Sequence, residues 1–342
     1  MPPLELLMED ARRSLHGVAP AQLAGRQVLI TGASGIIGTH LLYCLRHAQT
    51  ALGLKLRVTA TVRRAVPEHL LPLQQDGHAA FLAGDLTDPA FLASLPPADL
   101  IVHGATYGQP GLFMAEAIPT LKLNTTATFA LLEKLLPCGR FLFISTSELY
   151  SGLHNAPFRE EQIGTTTPSH PRSCYIEAKR CGEAIVQAFR TRGASAKSAR
   201  LALAYGPGTR PGDQRVLNNF IERALTKNTI EMLDAGSARR TYCYVADAVF
   251  MLWKILLEGT APIYNVGGVS STTIADLARL VGEIVHVPVR LPAGSAQAHA
   301  SAPDDVSLNL AKFTSEFGPV SFTDLPTGVA RAITWQRAFY SQ

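Results

Sequence analysis

Tyr175 and Lys179 stand four residues apart, so a helix through them carries both side chains on one face, one turn apart. An ammonium beside a phenol favours the phenolate and draws it down from its ordinary pKa of about 10. That makes Tyr175 a candidate to exchange a proton with a carbinol. Upstream, Ser145-Thr146-Ser147-Glu148-Leu149-Tyr150 follows the apolar run Phe141-Leu142-Phe143-Ile144 and so falls at a strand end. A hydroxyl there, Thr146, can hold the substrate oxygen that Tyr175 deprotonates. If the chain stays extended, Thr146 and Glu148 project to one side and Ser147 to the other. Glu148 is then a second candidate acid or base. The ordinary alternatives are a surface Tyr and Lys on an amphipathic helix, a capping hydroxyl and a solvated carboxylate.

Chemistry on a carbinol calls for a hydride acceptor, and the sequence offers a place for one. Arg26-Gln27-Val28-Leu29-Ile30 reads as a strand and opens into Thr31-Gly32-Ala33-Ser34-Gly35-Ile36-Ile37-Gly38. Gly32 can turn sharply out of the strand, Gly35 lets backbone N–H groups approach a pyrophosphate, and Gly38 lets the next helix pack close to the sheet. A helix from Ile36 to about Arg46 would aim its positive end at the phosphates. A glycine-rich turn with no ligand has the same appearance, but the flanking strand and helix and the distant Tyr/Lys pair weigh against it. The second strand bears on which dinucleotide is bound. An acid at its end would take the adenosine ribose hydroxyls, but the chain reads Val58-Thr59-Ala60-Thr61-Val62-Arg63-Arg64. Two arginines and no acid favour NADP over NAD. His103 reads as a packed strand-end histidine.

Apolar runs at 28–30, 57–62, 79–83, 100–103, 140–145 and 199–204 read as buried strands, alternating with helices near 36–47, 66–75, 88–94, 113–136 and 175–192. The alternation predicts an α/β fold, a doubly wound parallel sheet of Rossmann type with ligands at the carboxyl ends of its strands. Leu4, Leu7, Met8, Ala11 and Leu15 have helical spacing, which sets residues 1–25 apart as a helical extension. After Tyr205 the pattern loosens, with Gly- and Pro-rich loops at 207–213 and 292–304 between helices at 215–227, 246–257 and 273–284. The expected division is a dinucleotide-binding domain over 26–204, with 240–268 returning to it, and a smaller substrate lobe from 205–239 and 269–342. The cleft falls between them.

Of the 342 residues 47 % are apolar, enough to bury a large core. A net charge of +4 with scattered basic residues argues against nucleic acid as a partner. The five cysteines (Cys44, Cys138, Cys174, Cys181 and Cys243) are odd in number and widely spaced, so neither a disulfide framework nor a metal site is expected and a reducing cytoplasm fits. No basic leader with an apolar core and no apolar run of spanning length is present, so no membrane partner is expected.

In their order and spacing these stretches resemble the extended short-chain dehydrogenase/reductase family of nucleotide-sugar epimerases, dehydratases and decarboxylases, over essentially residues 26 to 340. Further landmarks are Gly84-Asp85-Leu86-Thr87-Asp88, Val102-His103-Gly104-Ala105, Leu123-Asn124, Tyr205-Gly206-Pro207 and the stretch from Arg240 to Asp247. The resemblance implies a tightly held NAD(P) in contact with Gly32, Ser34, Gly35, Ile36, Ile37, Gly38, Arg63, Arg64, Asp85, Leu86, Ala105 and Asn124, as well as Tyr175 and Lys179. Asp85 would touch the adenine, Asn124 would support the active site and Lys179 would hold the cofactor ribose. It also implies a nucleotide-sugar substrate met by Thr146, Ser147, Arg215 and Arg240. Hydride would leave sugar C4 while Tyr175 takes the hydroxyl proton, and the 4-keto sugar would epimerise, lose water or lose carbon dioxide. A homodimer through the helices at 113–136 and 175–192 is implied as well.

Within that family the acid at Glu148 is similar to the sugar 4,6-dehydratases and the UDP-glucuronate decarboxylases rather than the simple 4-epimerases. The segments 171–180 and 212–221 look like the decarboxylase branch. Three positions depart from the pattern: Ser301 where decarboxylases place an arginine, Leu203 where relatives carry a substrate-binding asparagine, and Ser151 where glycine usually follows the tyrosine. An epimerase or 4,6-dehydratase is the first expectation and a decarboxylase the close alternative. A ketoreductase using exchangeable NADPH comes third. An inactive cofactor-binding scaffold would be marked by loss of Tyr175, Lys179 or Thr146, and all three are present.

Overall fold

The computed structural model describes residues 3–292 and 307–340. The chain runs through α1 (Leu4–Leu15), β1 (Gln27–Thr31), α2 (Ile36–Thr50), β2 (Arg57–Val62), α3 (Leu71–Gln75), β3 (Ala80–Ala83), α4 (Pro89–Ser94) and β4 (Ala98–His103). Three short helices follow, α5 (Pro110–Ala115), α6 (Ala117–Asn124) and α7 (Thr126–Leu132), then β5 (Leu135–Thr146), α8 (Ser173–Thr191) and β6 (Ser195–Leu201). Next come β7 (Ala204–Tyr205), α9 (Val216–Lys227), β8 (Ile230–Glu231), β9 (Arg239–Tyr244), α10 (Val245–Glu258) and β10 (Ile263–Val266). The chain closes with β11 (Ser270–Thr273), α11 (Ile274–Val285), β12 (Val289–Arg290), α12 (Ala311–Phe317) and α13 (Leu325–Tyr340).

Seven strands form one sheet in the order β10-β6-β5-β4-β1-β2-β3, every pair parallel, which is the doubly wound α/β fold expected. Both faces are covered, as an all-parallel sheet requires. Within β1, Val28 and Ile30 enter the core shared with α2 and α10, and Leu29 enters the core shared with α4, α7 and α8. The winding reverses between β1 and β4, whose last residues Thr31 and His103 pair side by side. The crevice therefore opens at those two ends.

The N-terminal helix is docked by charge as well as by its apolar stripe. Asp10 is buried on α1 and meets the His40 Nε2 at 3.2 Å, the Tyr244 hydroxyl at 2.8 Å and the Arg331 guanidinium at 2.9 Å. That cluster joins α1 to α2, β9 and α13. Two smaller sheets, β11-β9-β7 and β12-β8, lie outside the large one, and β10 returns to the large sheet beside β6.

Three expectations are corrected. The helix at 113–136 is three helices, because Pro119 lacks an N–H and its ring clashes with the carbonyl four residues back, so α5 stops at Ala115. Thr125 (φ −117°, ψ −77°) separates α6 from α7, and residues 135–136 already belong to β5. The strand expected at 199–204 spans Ser195–Leu201 instead, because Ser195, Ser198 and the buried Lys197 disguise its first half as polar. Residues 147–150 form a 3₁₀ turn, so the extended geometry used to pair Thr146 with Glu148 does not persist, and the Thr146 Oγ1 accepts the Glu148 N–H at 3.2 Å.

Candidate active site

The turn after β1 is built from steric necessity. Gly32 has φ +73°, and a Cβ there would lie 2.7 Å from the Gly104 carbonyl, so the β1 and β4 turns touch backbone to backbone. A Cβ on Gly38 would lie 2.4 Å from the Gly32 oxygen. Gly35 is less restricted, meeting only that oxygen at 3.4 Å, and caps α2 in an extended conformation. Ile36 and Ile37 open the 15-residue α2, so its first-turn N–H groups and positive end face the crevice. Thr31 Oγ1 bonds His103 Nδ1 at 2.7 Å and accepts the Ala105 N–H at 3.4 Å. Because the Leu123 carbonyl 2.9 Å from His103 Nε2 can only accept, Nε2 carries the proton and Nδ1 accepts from Thr31. Burial, then Lys179, pushes His103 down to about 3, and it is a neutral packed histidine.

Strand β5 delivers Thr146 and helix α8 delivers Tyr175 and Lys179, all three buried. Thr146 is near enough to Tyr175 to hold its pKa down, and Phe113 of α5 stacks on the Tyr175 ring at 4.5 Å with planes 7° apart. The Lys179 Nζ donates to the Ile144 carbonyl at 2.5 Å and lies 4.6 Å from the Phe143 ring centroid, against 5.9 Å for Tyr175. The phenol pKa is raised, not drawn down as expected. Burial pushes Tyr175 up to about 12, opposed by the Thr146 hydroxyl and the Arg172 and Arg215 charges, while Glu148 adds to the rise. Burial likewise pushes Lys179 down to about 7 against the charge of Glu183.

Glu148 is brought to Tyr175 by the 3₁₀ turn. Its Oε2 lies 3.0 Å from Arg172 Nη1, an ion pair without hydrogen-bond alignment. Burial raises the Glu148 pKa, and Arg172, His170 and Arg240 oppose the rise. Ser147 is half-buried on the same turn. Arg215 is held by Asp213, its Nη2 2.6 Å from Oδ2, and its charge is felt at Tyr175 and Tyr242. Arg240 on β9 is felt at Glu148 and Tyr242, so both arginines flank the cleft.

The remaining candidates surround the crevice. Asn124 is buried, donates to Thr106 Oγ1 at 3.0 Å and to the Thr120 carbonyl at 2.8 Å, and keeps a buried Oδ1 with no protein partner among the described residues. Arg63 donates to the Tyr107 hydroxyl and lies 5.5 Å over its ring, and Arg64 is exposed beside it. Asp85 is exposed, taking the Thr87 N–H at 2.8 Å, and Leu86 is buried. The Ser34 carbonyl accepts from Arg210 at 2.9 Å. Leu203 packs against the large core, Ser151 has an ordinary φ of −56° that demands no glycine, and Ser301 lies outside the described residues. The cradle at Gly32 and Gly38, the α2 N-terminus and the orphaned Asn124 oxygen fit a dinucleotide.

Sequence reasoning passed over Phe113, Arg172 and Arg210. Arg172 had a signal, three residues before Tyr175 at the start of the same helix. Phe113 and Arg210 reach the site from 62 residues before and 35 residues after Tyr175, and nothing local marks them.

A doubly wound sheet that gathers a glycine turn with a Thr, Tyr and Lys cluster defines a dinucleotide-binding enzyme of the extended short-chain dehydrogenase/reductase type. The chain belongs to the NAD dependent epimerase/dehydratase family, which it matches over residues 28–267. It is 30 % identical over 291 residues to UDP-glucuronic acid decarboxylase 1 of Xenopus tropicalis, covering 83 % of this chain and 63 % of that one. It is 31 % identical over 277 residues to UDP-glucuronic acid decarboxylase 6 of Arabidopsis thaliana, covering 78 % and 76 %. In fold it is similar to the dTDP-glucose 4,6-dehydratase DesIV of Streptomyces venezuelae, solved with NAD bound, at a TM-score of 0.78 and 24 % identity, with 92 % and 98 % covered. Among the described residues no helix is long and apolar enough to cross a membrane, and the five cysteines are free.

Proposed function

We propose that this protein is an NAD(P)-dependent nucleotide-sugar epimerase or dehydratase that begins by oxidising its sugar at C4. The observation that carries the reading is the convergence of Thr146, Tyr175, Lys179 and Glu148 at the carboxyl edge of the sheet. Bound NAD(P) would supply the hydride acceptor. Thr146 positions the sugar hydroxyl, and Tyr175 takes its proton once the phenol has ionised, a step the Arg172 and Arg215 charges favour. Lys179 holds the ribose side of the cofactor, and its lowered pKa lets it lose or regain a proton near neutrality. A C4 ketone acidifies the neighbouring C–H, and Glu148, its pKa raised by burial, is a stronger base there than a solvated carboxylate. Asp85 is assigned to the adenine and Asn124 to support of the site. Arg215 and Arg240 take the substrate diphosphate.

A second reading is decarboxylation, favoured by the names of the relatives. A uronic acid oxidised at C4 is a β-keto acid whose carboxylate leaves without a second base, so Glu148→Gln separates the readings. Elimination, or inversion at a carbon next to the C4 ketone, should fail in that variant with C4 oxidation intact, whereas decarboxylation should persist.

Arg63 and Arg64 favour NADP over NAD. The exposed Leu112, Met114, Ile118 and Phe129 on α5, α6 and α7 favour a homodimer through that side, and a monomer at micromolar concentration by light scattering would sink that. The proposed compartment is the cytoplasm. Native mass spectrometry with a panel of UDP-, GDP-, CDP- and dTDP-sugars tests the whole reading. Retained NAD(P) plus one selectively bound sugar nucleotide is the expected result. A chain that binds NADPH and ignores every sugar nucleotide would instead be a reductase of some other carbonyl.

A further inference from the structure

We propose that Arg210, carried by the loop after β7, is a clamp on the cofactor diphosphate, so that the second lobe closes the dinucleotide turn from above. The inference rests on the dinucleotide reading of that turn. Its Nε donates to the Ser34 carbonyl at 2.9 Å, which fixes the guanidinium over the residue preceding the Gly35 cap of α2. Among the described residues neither Nη group has a protein partner and no carboxylate pairs with Arg210. A cation with no counter-charge among the described residues is thus parked against the positive end of a 15-residue helix. His69 feels it: burial first and then Arg210 push its pKa down to about 4, so it is neutral and adds no negative charge. Arg210 is exposed, so water screens its repulsion from the helix end in the free protein, and an anion that displaces that water meets two positive features at once. A diphosphate does so with the right geometry, since the guanidinium edge can give two parallel N–H bonds to it.

The loop is built to hold this position. On one side of Arg210 the Thr209 hydroxyl donates to the Gly206 carbonyl at 3.0 Å, and the Trp335 indole donates to the Thr209 carbonyl at 2.8 Å. On the other, the Gly212 N–H donates to the Tyr340 hydroxyl at 2.9 Å. Gly208, with φ +87°, lets the loop lie against Thr39 and His40 of α2. A side chain anchored on both flanks loses little further freedom on binding.

The test is isothermal titration of NAD and NADP into the full chain and into Arg210→Ala and Arg210→Lys, with thermal melts of each protein without ligand. Arg210→Ala should weaken both dinucleotides by the same factor, roughly ten- to hundredfold for a charged hydrogen-bonded contact, and flatten the dependence on salt. Its ligand-free melting temperature should not move. Arg210→Lys should fall between, keeping the charge and losing the fork. Equal binding by Arg210→Ala and the native chain would overturn the clamp, as would a loss that simply follows a drop in ligand-free stability. If the native chain binds neither dinucleotide, the reading of the turn fails and the clamp fails with it, a result distinct from native binding that Arg210→Ala leaves unchanged.

Discussion

The six residues from Ser145 to Tyr150 have two sides that do different work. Thr146 and Glu148 face the cleft, where burial leaves the Glu148 carboxylate and the Tyr175 phenol with raised pKa values and incomplete partners. Ser145 and Tyr150 face the interior and are fully engaged. Ser145 donates to Glu183 at 2.6 Å, Arg200 grips both oxygens of Glu183 at 2.9 and 2.8 Å, and Arg200 donates to the Tyr150 hydroxyl at 2.9 Å. Tyr150 in turn donates to Asn265 at 2.7 Å, which ties the end of β5 to β6, α8 and β10. The saturated side makes a rigid floor. The cleft side keeps buried acids with raised pKa values and fewer fixed partners, so their protons can move.

Breaking the floor should have the largest effect. Arg200→Met strands the Glu183 carboxylate in the core and is expected to lower unfolding free energy by about 3–5 kcal/mol in chemical denaturation. Adding Glu183→Leu should recover most of that loss, since an apolar pair in place of a buried ion pair is often neutral. A recovery in stability without recovery of turnover would show that the floor also aims Thr146.

Changes on the cleft side should invert this pattern. Tyr175→Phe is expected to leave dinucleotide affinity and unfolding nearly unchanged while turnover falls by about 10²- to 10⁴-fold. Lys179 sharpens the contrast through pH. Its folded pKa of about 7 lies below its unfolded value, so between the two the unfolded chain holds the extra proton and stability rises with pH. Below about 7 both states hold it and the burial penalty is present in full. Lys179→Met should therefore be more stable than the native chain at pH 6 without ligand, with the gap closing as pH climbs from 7 toward 10. A gap independent of pH would mean that Lys179 titrates as a solvated lysine. The smallest change is expected at the far end of the crevice, where Arg64→Ala should weaken NADP by roughly tenfold and spare NAD.

What could be read in advance follows the same division. The glycine turn was legible because sterics alone dictate Gly32 and Gly38, and Tyr175 with Lys179 because a single helix carries both. The floor was not legible. Lys197 looked like a solvent-facing residue and pushed the expected strand four residues late, and nothing local marked Arg200 as buried and held by Glu183 and Tyr150, distant in sequence. The 3₁₀ turn at 147–150 sets Glu148 within electrostatic reach of Tyr175 by a route that period-two reasoning did not describe. Pro119, which divides the long helix, was a local signal that the apolar periodicity around it outweighed.

The most direct test of C4 oxidation is rapid mixing of protein loaded with oxidised NAD(P) against each sugar nucleotide, following the near-ultraviolet absorbance of reduced nicotinamide. With one sugar class that absorbance should rise in the native chain and stay flat in Tyr175→Phe. If no sugar nucleotide raises it in a chain that demonstrably holds the cofactor, or if Tyr175→Phe raises it equally, the assignment of Tyr175 to a sugar C4 hydroxyl is wrong.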